Sequence, residues 1–112
     1  MSRTSIFLSN NTIEPMTVDS VDGKISEEGT LAPPGQITMI ASIGDPGNFE
    51  TATTGQIWIS AAKAILRVEI RKPKGENAEC IGSTTYDYTL STTNDYPDSG
   101  SVYSRSITLH IS

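Results

Sequence analysis

Residues 31–60 read LAPPGQITMIASIGDPGNFETATTGQIWIS, and this stretch decides the fold. A proline-glycine turn at Pro34-Gly35 launches an apolar strand, Ile37 to Ala41. A polar segment with Gly44, Asp45, Pro46, Gly47 and Asn48 follows, which forbids a helix and favours successive turns. Thr54-Gly55 then launches a second strand, Gln56-Ile57-Trp58-Ile59-Ser60. Both strands are rich in Ile, Met or Trp, so they are expected to face each other across a core. In the first, Ile37, Met39 and Ala41 are expected on one face, with Thr38 and Ile40 on the other. In the second, Ile57 and Ile59 share a face opposite Trp58. Trp58 is then either a plug in the second layer or an outward binding aromatic.

Working outward, the same alternation recurs. Ile65 to Arg71 places Leu66, Val68 and Ile70 on one face and Arg67, Glu69 and Arg71 on the other, so period two wins over the helical propensity of Ala61-Ala62-Lys63-Ala64. At the C-terminal side, Tyr103, Arg105, Ile107, Leu109 and Ile111 alternate with Val102, Ser104, Ser106, Thr108 and His110. The first set forms the expected core face toward the end of that strand. Thr84 to Ser91 alternates too, with Tyr86, Tyr88 and Leu90 on one side. Glu76 to Ser83 reads as a loop or poor strand, and Thr92 to Gly100 as a long turn region.

Near the N-terminus, Ser5 to Ser9 and Thr12 to Val18 flank Asn10-Asn11 in a hairpin pattern. Pro15 would put the second of these strands at an edge or on a bulge. Asn10-Asn11-Thr12 also matches a glycosylation acceptor, but these asparagines are read as turn formers. Val18 to Thr30 is polar and turn-prone, with Asp22-Gly23 as its tight turn. The result is an all-β chain of about seven or eight strands without a βαβ rhythm, and an antiparallel β-sandwich is the expected solution.

The chain of 112 residues is sized for one domain, residues 1–112. Apolar residues make up 36%, and β-branched Thr, Ile and Val suit a pleated surface. A net charge of −5 argues against non-specific nucleic-acid binding. Five of the eight basic residues nevertheless cluster at Lys63, Arg67, Arg71, Lys72 and Lys74. Cys80 is the only cysteine and His110 the only histidine, which leaves no internal disulfide and no metal cluster of those residues. No nucleophile and base stand at a telling spacing, so no enzyme activity, catalytic residue or cofactor is expected. No signal peptide or membrane-spanning run is visible, so a cytosolic or unconventionally exported protein is expected.

Four features fall in the order seen in the aegerolysin family of small β-sandwich proteins. They are an opening strand ending in an Asn-rich turn (Ile6 to Thr12), a strand launched from a Pro-Gly turn (Leu31 to Ile37), a "T-x-G-x-I" strand (Thr53 to Ile59), and an Asp98-Ser99-Gly100 turn before the terminal strand. The chain resembles that family over most of its length. The family's tryptophan-rich segments have their nearest counterparts at Asp22-Gly23-Lys24 and Glu69 to Gly75, which keep Pro and Gly but carry no tryptophan. The resemblance implies a protein that binds membrane lipid headgroups, with a larger perforin-type pore-forming partner.

The residues offer candidate contacts for such a ligand. Arg71, Lys72 and Lys74, with Arg67, could meet anionic headgroups at about 1 kcal/mol each, or could simply keep an outer sheet face soluble. Tyr96 lies in a loop, and Trp58 and Tyr96 pair apolar rings with polar tips suited to a headgroup or a sugar. Tyr86 and Tyr88 fit a cross-strand aromatic ladder in the core. Asp45, Glu50, Asp95 and Asp98 could supply oxygen ligands to calcium, although turn chemistry explains the same residues. A lectin-like module that binds a glycan or a protein is the alternative to lipid binding.

Overall fold

The computed structural model describes residues 3–23, 25–44, 53–72, 79–84, 87–95 and 105–112. Among them the regular elements are ten strands: β1 (Arg3–Asn10), β2 (Met16–Gly23), β3 (Ile25–Glu27), β4 (Leu31–Ala32), β5 (Ile37–Gly44), β6 (Thr53–Ser60), β7 (Ile65–Lys72), β8 (Glu79–Thr84), β9 (Leu90–Asp95) and β10 (Arg105–Ile111). They form two five-stranded sheets, ordered β3-β5-β1-β10-β9 and β4-β2-β6-β7-β8. The protein is an all-β sandwich. Every pairing is antiparallel except β1 with β10, which run parallel with Ile6 beside Ile107 and Leu8 beside Leu109.

The deciding stretch behaves as its pattern demands. β5 and β6 lie in opposite sheets, and each sends isoleucines into the shared interior. Ile40, Ile43, Ile57, Ile59, Leu66, Val68, Ile70, Ile107, Leu109 and Ile111 are all buried. The clean alternation of β7 and β10 is realised residue for residue, because one face of each strand meets the other sheet.

The face assignment in β5 is corrected. Ile6 pairs with Ala41 and Phe7 with Met39, so Ile40 is an extra residue, a β-bulge. The bulge sends Ile40 and Ala41 inward together, and leaves Ile37 and Met39 on the outer side. A second bulge at Asp19 separates the Val18–Ile59 and Ser20–Trp58 pairs. Val18 stays inside while Asp19 and Ser20 both face solvent, and Asp19 accepts a hydrogen bond from the Ser60 hydroxyl.

The expected N-terminal hairpin does not form. β1 and β2 belong to different sheets, so residues 11–15 carry the chain from one layer to the other. Pro15 stands just before β2, which lies between β4 and β6 and is no edge. The polar run from Val18 to Thr30 is largely strand, because β2 continues to Gly23 and β3 follows. The expected strand from Thr84 to Ser91 is broken instead. β8 (Glu79–Thr84) occupies what read as a loop or poor strand, and β9 (Leu90–Asp95) runs on past Ser91 into the expected turn region from Thr92. Asp87 stands between them with φ 58°, a left-handed conformation that ends an extended run and that Asp tolerates better than most residues.

One glycine is fixed by a close approach. A Cβ on Gly29 would lie 2.7 Å from the Met39 carbonyl oxygen, while the Gly29 N–H donates to Ile40 O at 3.2 Å. Gly29→Ala should lower stability by about 1–3 kcal/mol, read from the midpoint of urea unfolding.

Candidate functional site

The strand directions bring the last residues of β1, β6 and β10 and the first of β2, β5, β7 and β9 to one end of the sandwich. That end is capped by residues 11–15, 33–36, 61–64 and 87–89. Asn10 holds the cap together. Its side chain is wholly buried and donates from Nδ2 to Glu14 O at 2.8 Å and to Ala32 O at 2.9 Å. Its Oδ1 accepts from the Thr12 N–H at 3.0 Å and the Thr12 hydroxyl at 2.6 Å. Its backbone exchanges hydrogen bonds with the Pro34-Gly35 turn: Asn10 N to Gln36 O at 3.0 Å, and Gly35 N to Asn10 O at 2.7 Å. Gly35 has φ 74°, which glycine adopts without strain.

Above this cap opens a cavity of about 380 Å³. Asn11, Thr12, Ile13 and Glu14 form one wall, Ala62 and Lys63 a second, and Asp87, Tyr88 and Ser112 a third. Tyr88 packs against the core edge, and its hydroxyl accepts the Lys63 backbone N–H at 3.1 Å. The Lys63 ammonium stands 5.9 Å from the centre of the Tyr88 ring, within cation–π range. The wall at Asp87 holds the left-handed residue noted above.

Aliphatic side chains surround this end. Ile13 is 90% exposed, Ile37 64%, Ile65 60% and Leu31 57%. Leu31 opposes Thr17, and Ile65 opposes Ser60, which puts both on the outer side of their sheet near the cap. Ile37 opposes Ser9 at the same end of the other sheet. Ile13 beside the Tyr88 ring and the Lys63 ammonium makes this end amphipathic, with Leu31, Ile65 and Ile37 exposed on the flanking sheet faces.

The other sequence-derived candidates lie elsewhere. Trp58 is half-buried on the outer face of its sheet, so of the two readings the plug between the layers is excluded. The Arg67 guanidinium covers its ring at 5.9 Å. Arg71 shares that outer face and is ion-paired with Glu79, while Arg67 pairs with Glu69 at 3.6 Å. Each such exposed pair contributes little to stability, but it offsets the positive charge that an anionic headgroup would meet. Lys72 closes β7. Lys74, Tyr86, Tyr96, Tyr103, Asp45, Glu50 and Asp98 lie outside the described residues. Of the described candidates only Tyr88 borders the cavity, together with Lys63 from the basic cluster.

Sequence reasoning read Asn10 only as a turn former and Lys63 only as a member of the basic cluster, and it missed Ile13 and Asp87. For Ile13 the available signal was an isolated aliphatic residue in a polar segment. His110 lies on the outer face of β10, where Nε2 and the Thr93 hydroxyl are hydrogen-bonded at 2.8 Å. Among the described residues no three His, Cys, Asp or Glu side chains converge to hold a metal ion.

Cys80 faces inward from β8 and is partly buried against the core. Burial pushes its thiol pKa above the usual value, the Gly82 backbone partly opposes the rise, and the Glu69 carboxylate adds to it. The thiolate is the reactive form, so its fraction at neutral pH falls. Cys80 should react with a thiol reagent at pH 7 at least about tenfold more slowly in the folded protein than in urea.

Known protein families were compared with this chain and none matches, and no curated protein matches it either.

Proposed function

We infer that the protein is a non-enzymatic module that binds membrane lipid through the capped end of the sandwich. The observation that carries this reading is the exposed Ile13 lining a cavity that also holds Tyr88 and Lys63, with Ile37, Ile65 and Leu31 exposed at the same end of the sandwich. Aliphatic side chains that cost free energy in water gain it at an acyl boundary. A tyrosine suits the headgroup level, and a single ammonium suits a phosphate. The acidic side chains Glu14 and Asp87 at the same cavity disfavour strongly anionic surfaces and fit zwitterionic headgroups. The reading agrees with the lipid binding that the aegerolysin resemblance implies, but it moves the contact from Arg71, Lys72, Lys74, Tyr96 and Trp58 to the cap.

Cosedimentation with vesicles of phosphatidylcholine, of phosphatidylcholine with sphingomyelin and cholesterol, and of phosphatidylcholine with phosphatidylserine tests the reading. Binding to a zwitterionic vesicle is the expected result. Absence of binding to all three compositions would remove the proposal.

A second reading rests on the cavity itself. Tyr88 beside Asn11, Thr12, Glu14 and Asp87 is a pairing of ring and hydrogen-bonding groups that also suits one sugar ring. On a glycan array this reading predicts a sugar signal that Tyr88→Ala abolishes and Ile13→Asp leaves intact.

A further inference from the structure

The two sheets have four edges, and among the described residues three are blunted. β3 has three residues and β4 two. β8 carries a bulge, since Gly82 opposes Glu69 and Cys80 opposes Ile70 with Ile81 left over. Short strands and bulges are devices that keep edges from pairing. β9 has none of them. It runs six residues, LSTTND, without proline or lysine, and in unbroken register with β10 from Leu90–Ile111 to Asp95–Ser106.

The hydrogen-bond phase of this edge follows from its start. Thr89 N donates to Ser112 O at 2.8 Å, and Ser112 N donates to Thr89 O at 3.0 Å. In an antiparallel ladder such bonded pairs alternate with non-bonded ones. Ser91, Thr93 and Asp95 therefore bond toward β10, while Leu90, Thr92 and Asn94 direct their N–H and C=O groups outward. Thr92 and Asn94 are exposed.

This set of outward groups is complementary to itself. When two copies meet antiparallel about a two-fold axis at Thr92, Thr92 opposes Thr92 of the second copy. Leu90 then opposes Asn94 and Asn94 opposes Leu90, so every outward N–H finds a C=O. Two-fold pairing of one patch with itself is the commonest closed arrangement of identical chains. A Thr–Thr pair at the axis is favourable. The same register sets Asp95 opposite Thr89, so the only acidic position of the strand never meets its own copy.

We propose that β9 is a self-association edge, through which two copies of this chain join their five-stranded sheets into one of ten strands, antiparallel and centred on Thr92. The residues that line the cavity take no part in the pairing.

Sedimentation equilibrium over a concentration series, with circular dichroism as a control for folding, tests this. The wild type should show a monomer–dimer equilibrium. Thr92→Lys and Thr92→Glu each set like charges against each other at the axis and should weaken it by at least about tenfold. An equimolar mixture of the two variants should recover association, because the axis then holds opposite charges. Mild oxidation of Thr92→Cys should give a crosslinked dimer, since the Cα separation of a bonded antiparallel pair, about 5.5 Å, admits a disulfide. A wild type that stays monomeric throughout overturns the proposal. So do folded variants that associate as the wild type does, or a mixture that fails to recover.

Discussion

Asn10→Ala should cost this protein about 3 kcal/mol or more of stability, the largest loss expected from any single polar side chain described above. The substitution removes two donated and two accepted hydrogen bonds in a wholly buried place. A typical bond contributes about 1 kcal/mol net, and a buried partner left without one costs about 1–3 kcal/mol. Ala32 O and the Thr12 N–H are the partners left behind. A domain of this size has only about 5–15 kcal/mol in total, so the melting temperature should fall by roughly 10 °C or more. Asn10→Asp separates hydrogen bonding from space filling. It keeps the acceptor but turns a carboxylate toward the Glu14 and Ala32 carbonyls. It should be less stable than the wild type at pH 7 and recover part of the difference in acid, as the carboxyl gains a proton and can donate. Urea melts of the three proteins at two pH values check this. An Asn10→Ala loss under 1 kcal/mol would show that the cap is held by something else.

The second large effect is on binding. Ile13 is 90% exposed, so Ile13→Asp should leave folding unchanged. On a membrane the same side chain is expected to leave water, a gain of about 1.5–3 kcal/mol that an aspartate cannot make. Vesicle affinity should therefore fall by roughly ten- to a hundredfold, while Ile13→Leu should bind as the wild type does. The comparison is read by titrating vesicles against a fixed protein concentration. Equal affinity for Ile13→Asp would place the contact elsewhere on the molecule.

How much of this was legible without coordinates depends on what each residue's neighbours are. β7 and β10 were readable because a strand covered on one face must alternate, and Leu66-Arg67-Val68-Glu69-Ile70 does so without exception. β5 was misread because its bulge at Ile40 arises from pairing with β1, a partner far away in sequence. The same holds for the parallel partner of β1, which lies about a hundred positions along the chain. Asn10-Asn11 has the chemistry of a turn between two paired strands. It serves a crossing between layers, and local propensity cannot tell these apart because both need a polar residue that satisfies nearby backbone groups. The candidate site was the least legible part. Its members come from residues 11–14, 62–63, 87–88 and 112, and only the strand directions bring them together. The basic cluster stood out by spacing alone, yet its Arg67 and Arg71 are matched by Glu69 and Glu79 across or along the sheet.

Hydrogen exchange with and without saturating phosphatidylcholine–sphingomyelin–cholesterol vesicles tests the central claim most directly. The account predicts slowed exchange in residues 11–14, 61–64 and 87–89, with little change in β7 and β8. Protection centred on Arg67 to Lys72 instead, or no protection anywhere, would contradict it.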